Sequence, residues 1–171
     1  MTGVAYGPGA WHEFFIGSAG GVAALSGLIF VAVSVNLRNI FAAEKREGGS
    51  FLTGRAIEAL VALLLALGIC IVGLVPEIDR WILGTFVIVA AGISVISPVR
   101  VLVALRHRSS PPHGMVSRIL LAFALFASLL VAGISTAAGA GGGLYWLPVA
   151  FLLAILVAAV NAWVLLVEVL R

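Results

Sequence analysis

Five polar residues stand inside or at the edge of otherwise apolar runs: Asn36, Glu58, Arg100, Asn161 and Glu168. In hydrocarbon such side chains are costly. They persist where they pair, where they line an ion path, or where they reach the headgroups. Arg100 lies roughly 9 Å along a helix from Arg106 and Asn161 about 15 Å from the C-terminus. Glu58 follows Arg55 by one turn, so those two can pair at i, i+3. Two readings follow. Arg100 pairs with Glu58 or Glu168, Asn161 and Asn36 add hydrogen bonds, and the cluster lines an ion or proton path. Alternatively the same groups snorkel to the interface and pair for structural reasons alone.

Other chemistry finds little footing. Ser18, Ser26 and Ser34 recur every eight residues, but eight steps advance by about 80° on a helix. They spiral instead of lining a pore, and hydroxyls so placed bond back to the preceding turn. His12, His107 and His113 all lie outside the apolar runs, so no Ser–His pair is expected within the membrane. There is no H-E-x-x-H, no phosphate-binding loop and no dinucleotide fingerprint. The single cysteine, Cys70, rules out an internal disulfide and a thiolate cluster. No catalytic residue, metal or cofactor is expected. Arg106 and Arg108 fit contact with anionic lipid headgroups, at about 1 kcal/mol per basic residue.

The elements that must carry these residues follow from composition. Of 171 residues, 63% are hydrophobic and 10% charged, and the mean hydropathy is +1.23. Soluble domains hold about 45–50% apolar residues. The chain therefore reads as one all-α transmembrane domain covering residues 1–171. An isoelectric point near 9.8 raises nucleic acid as a partner. The basic residues, however, are sparse and sit between apolar runs, so membrane orientation explains them and no nucleic acid is expected. Membrane lipids are the expected surroundings. The N-terminus carries no Lys or Arg, so the first apolar run is read as a retained helix and not as a secretory signal.

About 20 apolar residues cross the hydrocarbon. Charges, prolines and glycines divide the chain into five spans, at about 12–37, 52–75, 81–105, 115–137 and 144–170. Pro76 ends the second span, Pro98 interrupts the third, and AGAGGG at 138–143 separates the last two. Basic residues cluster after spans one and three and at Arg171, which places the N-terminus outside and the C-terminus in the cytoplasm. Trp11, Trp81 and Trp146 then share the outer interface, with Phe14 and Phe15 in the same aromatic belt. Spans two–three and four–five share an Arg-to-Trp-to-Arg layout. This fits two hairpins related by an axis along the membrane normal, and it equally fits any pair of hairpins.

Within span one, Gly17, Gly20, Ala23, Ala24, Gly27, Val31 and Ser34 fall within an arc of roughly 120°. Phe15, Val22, Leu25, Ile29 and Val33 fall opposite. Membrane helices associate through close backbone approach at small residues. The smooth side is therefore expected to be the contact face, against this chain's own helices or a second copy, with the bulky side toward lipid or looser packing.

The opening WHEFF at 11–15 followed by AALSGLIFVAVSVN at 23–36 resembles a family of small multi-spanning actinobacterial membrane proteins. Some members are labelled modulators of FtsH protease. The match covers about the first quarter of the chain. It implies a plasma-membrane protein without an assigned reaction and carries over no catalytic residue. The functional expectation is a non-catalytic membrane component acting through helix contacts, on itself as a homo-oligomer or on another membrane protein. The alternative is a homo-oligomeric channel or small transporter that uses the polar cluster.

Overall fold

In a computed structural model, which describes residues 4–47, 51–105 and 115–169, the chain is all-helical. The helices are α1 (His12–Glu47), α2 (Phe51–Gly73), α3 (Arg80–Ser94), α4 (Ile96–Leu105), α5 (Met115–Ala138) and α6 (Trp146–Val169), with short 3-10 turns at Pro8–Trp11 and Gly143–Tyr145. With α3 and α4 read as one interrupted crossing, five helices are long and apolar enough to span a membrane. The protein is a multi-pass membrane protein.

The interruption has a local cause. Pro98 has no N–H to give the carbonyl of Ser94, and its ring crowds that carbonyl. The helix breaks at Val95, whose own N–H still bonds to Ala91, and the Ser94 hydroxyl donates to the same Ala91 carbonyl.

α2, α3, α5 and α6 form a four-helix bundle. α3 packs along α5 and, less extensively, along α2; α6 packs along α2 and α5. α2 and α5 therefore sit diagonally, without extended backbone contact. This neighbour pattern is the one a two-fold axis between the α2–α3 and α5–α6 hairpins produces. The core is alanine-rich: Ala59, Ala62, Ala66, Ala90, Ala132, Ala150 and Ala154 are buried between Leu63, Leu83, Leu129 and Leu147.

The closest helix approach lies between α3 and α5. A Cβ built on Gly84 would stand 2.9 Å from the Gly133 carbonyl oxygen and 2.8 Å from the Ala137 nitrogen. One built on Gly133 would stand 3.0 Å from the Gly84 oxygen. Here small residues let two backbones touch, as membrane packing favours.

α1 lies outside the bundle, mainly against α2 with a smaller contact to α6. Its packing reverses the expectation from its small residues. Phe15 and Val22 are buried, and Leu25, Ile29 and Val33 are half-buried. Gly17, Gly20, Ala23, Ala24, Gly27, Val31 and Ser34 are all exposed. Within one protomer the smooth side is thus not the contact face. A close fit needs small residues on one partner only, and α2 supplies them. Its Gly73 receives the Phe15 ring, which lies within 2.7 Å of where a Cβ would be. Phe15 is accordingly core and not part of an interfacial belt.

At 36 residues, α1 is about 54 Å long, well beyond the roughly 30 Å of hydrocarbon. Its far end is held by a small satellite cluster in which Ile40 packs with Leu52, Ala56 and Leu165. At the opposite end the N-terminal residues strap the α5–α6 connection. Leu144 N–H donates to the Ala5 carbonyl (2.8 Å), Gly142 N–H to the Tyr6 hydroxyl (3.3 Å), and Trp11 packs edge-on to Tyr145. Gly142, with φ of 101°, adopts a backbone conformation other residues resist.

Candidate functional site: a buried polar network

Four polar side chains form two buried pairs inside the bundle at its basic end. Arg118, in the first turn of α5, crosses the diagonal to Glu58 on α2. Its Nε lies 2.6 Å from Glu58 Oε2 and its Nη2 2.5 Å from the same oxygen, with both side chains 6% exposed. One turn nearer the end of α2, Arg55 donates from Nη1 to Asn161 Oδ1 on α6 at 3.2 Å. Arg55 and Asn161 are 5% and 1% exposed.

Each residue is placed by helical phase. Arg118 heads a stripe that continues through Ala122, Leu125, Leu129 and Ala132, all buried, at the i, i+4, i+7 spacing of an inward face. Glu58 lies on the inward stripe of α2 with Ala62, Leu63 and Ala66, and Asn161 follows Ala150, Ala154 and Ala158 on α6. Alanine at the adjoining positions leaves room for the long guanidinium arms. Chemically the network is a crosslink. Glu58 with Arg118 ties α2 to α5, and Arg55 with Asn161 ties α2 to α6, and low surrounding polarity strengthens each bond.

The expected polar cluster is therefore assembled in part. Glu58 and Asn161 belong to the network. Arg100 does not: it is exposed on α4, two residues past the buried Pro98 and so about 200° around the helix from it, and the partner of Glu58 is Arg118. Asn36 is half-buried and its amide donates to Ala32 one turn back on α1. The side chain of Glu168 lies outside the described residues, as do Arg106 and Arg108. Ser26 and Ser34 bond back to the carbonyls of Val22 and Phe30, as their spacing implied.

Arg118 was legible only as a marker of orientation, and Arg55 as that and as a possible i, i+3 partner of Glu58. The signal that reveals their second role is their phase on the inward stripes of α2 and α5. No family model, no curated protein and no solved structure matches the chain.

Proposed function

We propose that this protein is a non-catalytic membrane component that works by holding another transmembrane helix against α1, with a second copy of the chain as the first partner to test. The observation that carries this is the exposure of the smooth side of α1. A Cβ built on Gly17, Gly20 or Gly27 meets nothing within 4 Å. Only 11% of the α1 span is buried, against 50% for the α2 span, 44% for α5 and 39% for α6. The bulky side docks α1 on its own bundle, and the small side, half a turn away, leaves the backbone open to a further helix. The basic residues support an orientation with the basic end in the cytoplasm, and the resemblance of the opening residues to the actinobacterial family supports a plasma-membrane setting.

The buried pairs support this reading over a channel or transporter, because Arg118 is turned on Glu58 and Arg55 on Asn161, tying the helices together.

The test compares Gly20→Ile with Gly21→Ile. Both glycines are exposed with open space around them, but they differ by about 100° around the helix. The mass of the protein–detergent complex, measured in a mild detergent, reports association. Wild type and Gly21→Ile are expected to associate, and Gly20→Ile to fall to the monomer. A wild type that stays monomeric, or equal behaviour of both variants, contradicts the proposal.

A further inference from the structure

The end of the bundle away from the buried pairs is held by backbone contacts. The α5–α6 connection has positive φ at Gly139, Gly141, Gly142 and Gly143, so its own residues stiffen it little. Neighbours hold its shape. From α5, the Ser135 hydroxyl accepts the Gly143 N–H and donates to the Ala140 carbonyl. From the N-terminal strap, the Ala5 carbonyl takes the Leu144 N–H and the Tyr6 hydroxyl takes the Gly142 N–H. The Trp11 indole N–H donates to the Val4 carbonyl at 2.8 Å and so folds the strap back on the start of α1.

Gly143 shows how closely the strap is fitted. A Cβ there would overlap the Ala5 carbonyl oxygen and stand 2.5 Å from the Tyr6 ring. The φ of 54° at Gly143 lies in the left-handed region that asparagine and aspartate also enter. The strap, more than the backbone angle, therefore demands glycine at this position. A second observation comes from the same end of α5. Thr136 follows Ala132 by one turn on the inward stripe and is fully buried, yet its hydroxyl has no hydrogen-bond partner. Its carbonyl accepts the Gly139 N–H, where the connection begins. A buried hydroxyl left unpaired carries a desolvation penalty that contact with water removes.

We propose that the strap is a releasable latch. Residues 4–7 leave the connection as a unit, the connection loosens, and water reaches the Thr136 hydroxyl. Relief of that orphan group favours the open form, and the strap's hydrogen bonds favour the closed one. Segments with few buried apolar contacts and accessible backbone bonds open at the lowest free energies. The other end stays shut, because Arg118 with Glu58 and Arg55 with Asn161 tie α2 to α5 and α6. α1 stays docked through Phe15 at Gly73 and through Ile40. The latch is separate from the smooth side of α1 and does not depend on it.

The test compares Gly143→Ala with Gly141→Ala in detergent micelles. Both put a side chain on a positive-φ residue, but a Cβ on Gly141 meets only Ser135, at 3.4 Å or more, and no part of the strap. In a Cys70→Ala background, the thiol of Thr136→Cys is titrated with a charged methanethiosulfonate reagent. Modification should be slow in the parent and in Gly141→Ala. Gly143→Ala should speed it at least about tenfold, in keeping with the cost of forcing a methyl into a filled site. Spin labels at Val4 and Leu152, both exposed, report the strap without altering Thr136. Their distance should be narrowly distributed in the parent and in Gly141→Ala, and broad in Gly143→Ala. Labels at Val35 and Trp163, near the other end, should keep one narrow distance throughout. Equal effects of the two alanines, or an unchanged Val4–Leu152 distance in Gly143→Ala, overturn the proposal. Broadening of the Val35–Trp163 distance along with the first also overturns it, because the change is then global and not a latch.

Discussion

Replacing Arg118 with methionine removes the partner of a carboxylate that is 6% exposed and leaves the charge on Glu58 facing the bundle interior. Breaking a buried pair from one side costs about 3–5 kcal/mol. Since 1.36 kcal/mol is a factor of ten, the folding equilibrium should fall by roughly 10² to 10⁴. That is a large share of the 5–15 kcal/mol typical of whole domains. Removing both partners is different, because similarly shaped apolar side chains often replace a buried pair at little net cost. The double variant Glu58→Met with Arg118→Met should therefore recover most of the loss. Reversible unfolding in mixed micelles, followed by helical circular dichroism, gives the four stabilities of the cycle. A coupling energy above about 1 kcal/mol is expected for groups in direct contact. If each single change costs under about 1 kcal/mol and the two simply add, Glu58 and Arg118 behave as a solvated surface pair. The crosslink across the bundle is then refuted.

Four further outcomes can be read in the same unfolding assay or by spectroscopy. Gly133→Ala drives a methyl into the α3 backbone, so it should cost at least about 2 kcal/mol by overpacking. Gly17→Ala enters open space and should instead stabilise by about 0.5–1 kcal/mol through helix propensity. Asn161→Leu takes the acceptor from Arg55 Nη1 and should cost about 1–3 kcal/mol, the penalty for disturbing a buried polar group. Pro98→Ala restores a donor for the Ser94 carbonyl and should merge α3 with α4, seen as a longer distance between spin labels at Thr85 and Val103.

The five crossings were readable because length and charge-free runs leave few alternatives. The limits agree closely where a proline or glycine cluster sets them, as in α5 and α6. α1 runs on to Glu47, past the predicted end near Leu37, because a polar sequence of good helix formers does not stop a helix that has left the membrane. The azimuth of each helix was harder. Small residues on α1 and on the α3–α5 pair look alike in sequence, yet among the described helical glycines only Gly84 and Gly133 meet the backbone of another helix. Which small side is used depends on what faces it, and α2 already offered Gly73 and its alanines to the large side chains of α1. Glu58 and Asn161 stood out by depth. Arg55 and Arg118 did not, because an arginine near a helix end reads as interfacial until its phase is compared with the buried stripe below it. Arg100 misled for the opposite reason: its depth suggested the interior, and its phase, half a turn from the buried Pro98, faces it outward.

Cross-linking in native membranes tests the role of α1 most directly. In a Cys70→Ala background, single cysteines at Gly20, Ala24 and Gly27 probe the smooth side, and cysteines at Gly21 and Ala32 probe an equally exposed flank. With a short thiol-reactive cross-linker, the first three positions should give covalent protein adducts, led by dimers of the chain, and the flank positions should give none. Adducts that are absent at Gly20, Ala24 and Gly27, or equally strong at Gly21 and Ala32, would mean that the smooth side meets only lipid.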